Sequence, residues 1–244
     1  MFDDRTAAEN EHASRVRQMF ATIATRYDLL NHLLSGNIDK RWRRVTANWL
    51  AENLPPGEVR ILDVACGTGD LSLTLFQIAG ARVVGTDFCR PMLEIASTKA
   101  FRLQRTIPFI EADALDLPFL SCSFEGAAIA FGLRNLASVE RGLRELLRVL
   151  KPGGRLAVLE FSQPVLPGFR SVFHLYFTRL LPFVGGLLSG SRAAYEYLPK
   201  SVSRFPGREE LASLMSRVGF EDVEYRNLTG GIAALHLGKR PKKF

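Results

Sequence analysis

Cysteine is scarce in this 244-residue chain: Cys66, Cys89 and Cys122 are an odd number and show no metal-type spacing. A disulfide framework is not expected, and such cysteine usage suits a reducing cytosol. Long apolar runs are missing too. The longest stretches free of Asp, Glu, Lys and Arg are 12 residues, 180–191 and 227–238, whereas a helix that spans a bilayer needs roughly 20 apolar residues. The first twelve residues carry acids and no apolar segment, so no cleaved secretory leader is expected. Only four histidines occur, with no His/Cys ligand cluster, and no metal centre is expected. With 47% hydrophobic and 23% charged residues, the chain is too apolar for disorder and long enough to bury a large core. What it has in excess is positive charge, +7 formally. The usual partners of such a surface are nucleic acid, anionic membrane or acidic ligands.

Two amphipathic stretches come first. Val16, Met19, Phe20 and Ile23 mark one helical face over 9–26, and Trp42, Val45, Trp49 and Leu50 do the same over 39–53. Pro55-Pro56-Gly57 ends that pattern. From residue 60 onward, strand-like runs (Ile61–Cys66, Arg82–Phe88, Ile107–Asp113, Glu125–Phe131, Arg155–Phe161) alternate with helix-like runs at 70–80, 91–103 and 138–150. Runs apolar on both faces and separated by helices predict a parallel sheet covered on both sides. A hydrophobic helical segment at 168–188 and a helix at 207–218 follow. Asp222–Leu228 and Ile232–Arg240, joined at Thr229-Gly230-Gly231, read as a closing antiparallel hairpin. The economical reading is one α/β domain over 1–244: a helical extension at 9–56, a core at 60–162, an apolar insert at 165–190, and a closing helix and hairpin at 205–240.

The most informative segment is Ile61-Leu-Asp-Val-Ala-Cys-Gly-Thr-Gly-Asp70. A buried strand runs into two glycines and then a helix, which lets the loop turn sharply and lets a ligand approach its backbone. The dinucleotide pattern G-x-G-x-x-G is incomplete, because Ser72 stands where its third glycine would be. Asp63 lies on the strand, where its carboxylate can hold a cation or orient the turn. Asp87 ends the next strand, where an acid can accept both hydroxyls of an adenosine ribose. Asp63, Gly67-Thr68-Gly69 and Asp87 together resemble the S-adenosylmethionine-dependent methyltransferases of the Rossmann-like class. That resemblance implies S-adenosyl-L-methionine as methyl donor, a seven-stranded, mostly parallel sheet, and Asp113 and Ala114 flanking the adenine. Ala65 replaces the usual first glycine.

Four further stretches narrow the resemblance. Tyr27-Asp-Leu-Leu-Asn-His-Leu-Leu-Ser35 followed by Trp42, Phe131-Gly-Leu-Arg-Asn135, Arg148-Val-Leu-Lys-Pro-Gly-Gly-Arg-Leu-Ala-Val-Leu-Glu-Phe-Ser162 and Tyr225-Arg-Asn-Leu-Thr-Gly-Gly231 occur in that order. They resemble the menaquinone and ubiquinone biosynthesis C-methyltransferases from about Phe20 to about Gly238. Leu30 stands for the usual Met, Asp39 for the usual His, and Ala130 for a Ser among the family's cofactor contacts. That last contact is therefore not carried over.

The resemblance implies methylation of a ring carbon on a demethylated prenyl quinol, a naphthoquinol or a benzoquinol. Ring carbon is a weak nucleophile until a neighbouring hydroxyl gives up or shares its proton, so the protein must help that hydroxyl ionise and align the carbon. Arg134 and Asn135, after the fourth strand, carry the family's proposed role in deprotonation. Arginine is a poor base, so Arg134 is expected to stabilise the phenolate or orient a water, and Asn135 to fix the ring. A loop salt bridge is the alternative for Arg134. Tyr27 is expected to close over the site, with a packed amphipathic tyrosine as its alternative. Glu160 is a further acid near the site, and His32 and His174 are assigned no role.

Residues 165–190 carry two arginines, no acid and more apolar surface than one helical face can bury. They suit a lid over a prenyl tail, a surface dipping into anionic lipid, or packing inside the fold or on a second copy of the chain. The basic runs at 40–44 and 239–243 read, each alone, as solvated charged faces; added attraction to such a membrane is the alternative. The expected location is the cytoplasm, at the inner face of the membrane. A nucleic-acid methyltransferase is the rival the charge permits. It is disfavoured because Ala-Phe-Gly-Leu-Arg-Asn replaces the Asn/Asp-Pro-Pro-aromatic motif and Cys122 lies before the fourth strand. A scaffold protein that has lost catalysis is the second rival.

Overall fold

The computed structural model describes residues 6–77, 81–165 and 192–242. Seven strands form one sheet: β1 (Val59–Val64), β2 (Ala81–Asp87), β3 (Phe109–Glu111), β4 (Phe124–Ala130), β5 (Leu150–Phe161), β6 (Glu221–Leu228) and β7 (Ala233–Lys239). Their order is β3-β2-β1-β4-β5-β7-β6. β1 pairs in parallel with both β2 and β4, while β7 runs antiparallel between β5 and β6. The chain moves outward one way through β2 and β3 and the other way through β5, so a crevice opens beyond the carboxyl ends of β1 and β4. Open α/β sheets place ligands at such a switch point.

Alternation along the strands explains why both faces are covered. Leu62 and Val64 join Ile129, Leu156 and Val158 beneath α5 (Val139–Val149), with its buried Leu143 and Leu146, and α7 (Arg208–Val218), with Leu211 and Met215. Ile61, Ala128, Ala157 and Leu159 point the other way, toward Trp49 and Leu50 of α2 (Ile38–Glu52) and Leu71 and Leu75 of α3 (Asp70–Leu75). Burying each large apolar side chain contributes about 1.5–3 kcal/mol relative to leaving it in water.

α1 (Ala7–Ser35) is longer than the periodic stretch that announces it. A capping box between Thr6 and Glu9 starts it, and Gly36 at φ +60° ends it, so the Tyr27–Ser35 segment is helical. Its flank packs on α4 (Arg90–Arg102) through Ala24, Met92, Phe20 and Tyr27. β3 is shorter than expected, since only Phe109–Glu111 align with β2 and Pro108 has no amide to donate. β5 begins earlier than expected. The Lys151-Pro-Gly-Gly154 turn is absorbed into it as an irregularity in its pairing with β4, with Gly153 at φ +80°. α6 (Arg192–Arg204) precedes α7. The expected insert lies outside the described residues from 166 to its end, as do 78–80 of the predicted 70–80 helix. Among the described residues no helix is long and apolar enough to cross a membrane.

Candidate active site

At the carboxyl end of β1 the backbone turns through three left-handed residues, Ala65 at φ +52°, Gly67 at +55° and Gly69 at +82°. Gly69 has a second reason to be glycine, because a Cβ there would stand 2.9 Å from the Ala96 Cβ and 3.2 Å from the Phe109 ring. Ala65 tolerates the left-handed conformation at a cost of roughly 1–2 kcal/mol. Its methyl occupies the space above Gly132, where an added Cβ would lie 2.6 Å from it.

Around this turn lies a cleft of about 970 Å³. Asp63, Gly67, Thr68, Asp87, Asp113 and Ala114 line it, and so do Tyr27 and Asn135. Of the residues singled out in the sequence, Gly69 supports the cleft without lining it, and Arg134 lines an adjoining one.

Both β-strand acids are buried. Asp63 accepts a hydrogen bond from the Ser72 hydroxyl at 2.5 Å, and its other oxygen, Oδ1, has no partner among the described residues. Burial pushes its carboxyl up to about 7, against the Ser72 hydrogen bond and the Arg43 charge. Asp87 accepts the Gly67 and Cys89 amides, each at 2.8 Å, which ties β2 to the glycine turn. Burial pushes this carboxyl up to about 6, against those amides. Asp113 braces its own loop by accepting the Leu115 amide at 2.8 Å.

A charged belt fastens α1 over the turn. The Thr68 hydroxyl donates to Asp28 at 2.5 Å, while the Lys99 ammonium reaches Asp28 at 2.8 Å and Asp70 at 2.5 Å. Lys99 belongs to none of the sequence stretches singled out above, and only the fold brings it to Asp28 of the Tyr27–Ser35 stretch. His32, assigned no role above, bonds Asp39 at 2.8 Å and lies 3.6 Å from Asp70. Ligand atoms of these three residues lie within 4.8 Å of one another, although the sequence shows no metal spacing. Arg43 on Asp39 and Lys99 on Asp70 already supply the compensating positive charge.

The second cleft, about 700 Å³, shares Phe20, Tyr27, Arg43 and Phe131 with the first. Its wall is aromatic: Trp42, Phe131 and Phe161 stand with ring centroids 4.7–6.3 Å apart, and the Trp42 indole donates to Thr229 of the hairpin turn at 2.9 Å. Arg43 corrects the expectation of a solvated basic run. Lys40, Arg41 and Arg44 are exposed, but Trp42 and Arg43 point inward, and the Arg43 guanidinium lies 5.7 Å from the Phe131 centroid.

Arg134 sits in the 3-10 turn Leu133–Asn135, with a side chain only 6% exposed. Its Nη1 donates to Glu160 at 2.9 Å and to the Phe131 carbonyl at 2.5 Å, while its Nε has no partner among the described residues. The loop salt bridge is therefore present, and among the described residues it leaves the buried Nε uncommitted. The guanidinium also lies 5.2 Å from the Phe161 ring centroid. Asn135 donates to the Phe131 carbonyl at 3.2 Å and accepts from the Tyr197 hydroxyl at 3.2 Å. Tyr27 is half-buried between the clefts. Burial pushes its phenol up, against the pull of Arg43 and Arg134 and a hydrogen bond from Asn31.

A glycine turn at the switch point of a seven-stranded, mostly parallel sheet, with acids on β1 and β2, is the architecture of the Rossmann-like methyltransferase fold. Solved structures share the fold. A methyltransferase from Thermotoga maritima aligns over 91% of this chain and 99% of its own at 21% identity and TM-score 0.62. The cyclase SpnF aligns over 82% and 80% at the same identity and score. The chain belongs to the ubiE/COQ5 methyltransferase family, whose pattern matches residues 7–240. It is 53% identical to the demethylmenaquinone methyltransferase of Thermus thermophilus, covering 91% of this chain and all of that one. It is 44% identical to the ubiquinone/menaquinone biosynthesis C-methyltransferase UbiE of Geobacter sp. strain M21, covering 96% and 99%.

Proposed function

We propose that this chain transfers a methyl group from S-adenosylmethionine to a ring carbon of a demethylated prenyl quinol. The observation that carries this reading is the pair of adjoining clefts: one acidic and built on the glycine turn, the other aromatic and furnished with guanidinium and phenol groups. The residues fit the donor. Asp63 keeps an unpartnered buried oxygen for a cationic or hydroxyl group, and Asp87 retains lone pairs for ribose hydroxyls beyond the two amides it accepts. Asp113 and Ala114 line the same cleft and would flank the adenine, and Gly67 leaves room for close backbone approach. When bound, the donor supplies a methyl group already activated on a sulfonium.

In the second cleft, Trp42, Phe131 and Phe161 offer flat apolar walls to a fused or single ring. Arg134 and Tyr27 line the same cleft and would meet an acceptor whose ring oxygen is to become anionic. A guanidinium beside the ring oxygen lowers the cost of that charge and so eases loss of the hydroxyl proton to water. Asn135 holds the turn that carries Arg134. Tyr27, on the wall common to both clefts, keeps water from the line of transfer.

A prenylated acceptor partitions into lipid, so we place this chemistry at the cytoplasmic membrane face. Exposed Leu29 and Leu33 and exposed Lys40, Arg41 and Arg44 lie on the joined helices α1 and α2 and support that placement. Cells lacking the protein should accumulate a quinone one methyl lighter than normal, read by mass spectrometry of the lipid extract. An unaltered quinone pool beside undermethylated RNA would instead support the nucleic-acid rival.

A further inference from the structure

Tyr197 comes from α6 and lies outside the four quoted stretches that narrow the family resemblance. It lines the aromatic cleft, half-buried, and its hydroxyl donates to Asn135 Oδ1 at 3.2 Å. Asn135 lines the other cleft. The Asn135 amide is held at both ends, its oxygen by Tyr197 and one of its N–H groups by the Phe131 carbonyl at 3.2 Å. One N–H remains, since a carboxamide nitrogen carries two. Without the Tyr197 hydroxyl the oxygen end of the amide loses its fixed partner, and rotation about the last side-chain bond becomes cheap.

The charges facing the phenol come from three elements: Arg134 of the 3-10 turn, Glu160 of β5 and Arg204 of α6 itself. Burial is the largest influence and keeps the group a neutral phenol, able to donate. Tyr197 and Leu198 both line this cleft, and substitution of Tyr197 by phenylalanine removes the hydroxyl and leaves the ring.

We propose that Tyr197 is a positioning residue for methyl transfer. Its hydroxyl locks the Asn135 amide and so registers the acceptor cleft against the donor cleft. This rests on the reading of the second cleft as the quinol site. Misplacing a reacting group by a fraction of an ångström is enough to slow a transfer that depends on in-line alignment.

The test is a double-mutant cycle on the full-length protein with Tyr197→Phe and Asn135→Ala, assayed with S-adenosylmethionine and a demethylated prenyl quinol. Tyr197→Phe should lower kcat by about tenfold, with the acceptor KM, the donor affinity by calorimetry and the melting temperature nearly unchanged. In the Asn135→Ala background the same substitution should have no further effect on kcat. A wild-type kcat in Tyr197→Phe, or losses that multiply in the double variant, would overturn the positioning role. So would a kcat loss matched by a fall in melting temperature. If the unaltered protein leaves the quinol unmethylated, the functional reading itself fails and this inference falls with it.

Discussion

Replacing Arg134 with alanine should lower turnover by about 10²–10³, the usual cost of removing one oriented donor from a developing oxyanion. Affinity for S-adenosylmethionine should change little, because Arg134 lines the aromatic cleft and is not among the residues lining the donor cleft. The same substitution should also destabilise the fold. Glu160 is 1% exposed and would lose the ion-pair partner it has among the described residues, and breaking a buried pair costs about 3–5 kcal/mol. The two effects separate in the double variant Arg134→Met with Glu160→Gln. Removing both charges should restore most of the melting temperature, while turnover stays low. If turnover recovers along with stability, Arg134 is a structural ion pair and its part in the chemistry is refuted.

Replacing Asp87 with asparagine should weaken S-adenosylmethionine binding by about 1.5–3 kcal/mol, roughly ten- to a hundredfold. Both carboxylate oxygens accept backbone amides, so an asparagine NH₂ must face one N–H and disturb the turn as well. The pH dependence follows from the raised carboxyls of Asp63, about 7, and Asp87, about 6. In the ligand-free protein these groups bind protons that the unfolded chain has already released. Their contribution to stability is therefore fully present below about pH 4 and is lost as pH rises through 6 and 7. Donor binding runs the other way, because only an ionised Asp87 can accept two ribose hydroxyls. From pH 8 to 5.5 the affinity should fall while the ligand-free melting temperature rises. Parallel trends would contradict the assignment, as would an Asp87→Asn variant with full affinity.

The donor half of this site was legible because its chemistry is local. A strand, two left-handed glycines and an acid on each of two successive strands lie within 30 residues. The acceptor half was not. Arg43 sits in a run of four basic residues, and only the twist of α2 decides that its side chain turns inward while its neighbours meet water. Asp28 and Lys99 are 71 residues apart and meet only because α1 crosses α4. Tyr197 lies 62 residues from its partner Asn135, in a helix whose pattern carries no chemistry of its own. Helix ends were misjudged where capping overrode periodicity, as at Gly36. Strand β5 started early because the Lys-Pro-Gly-Gly turn was accommodated as an irregularity in the pairing.

The central claim is carbon methylation of a quinol, and the site of the transferred methyl tests it most directly. Purified protein would be given S-adenosylmethionine carrying an isotopically labelled methyl group and a demethylated prenyl quinol in detergent or liposomes. The product would then be fragmented by mass spectrometry and assigned by NMR. The account predicts one labelled methyl on a ring carbon adjacent to a hydroxyl-bearing carbon, with both ring oxygens free. Label on a ring oxygen, or an unlabelled quinol from protein that binds the donor normally, would contradict it.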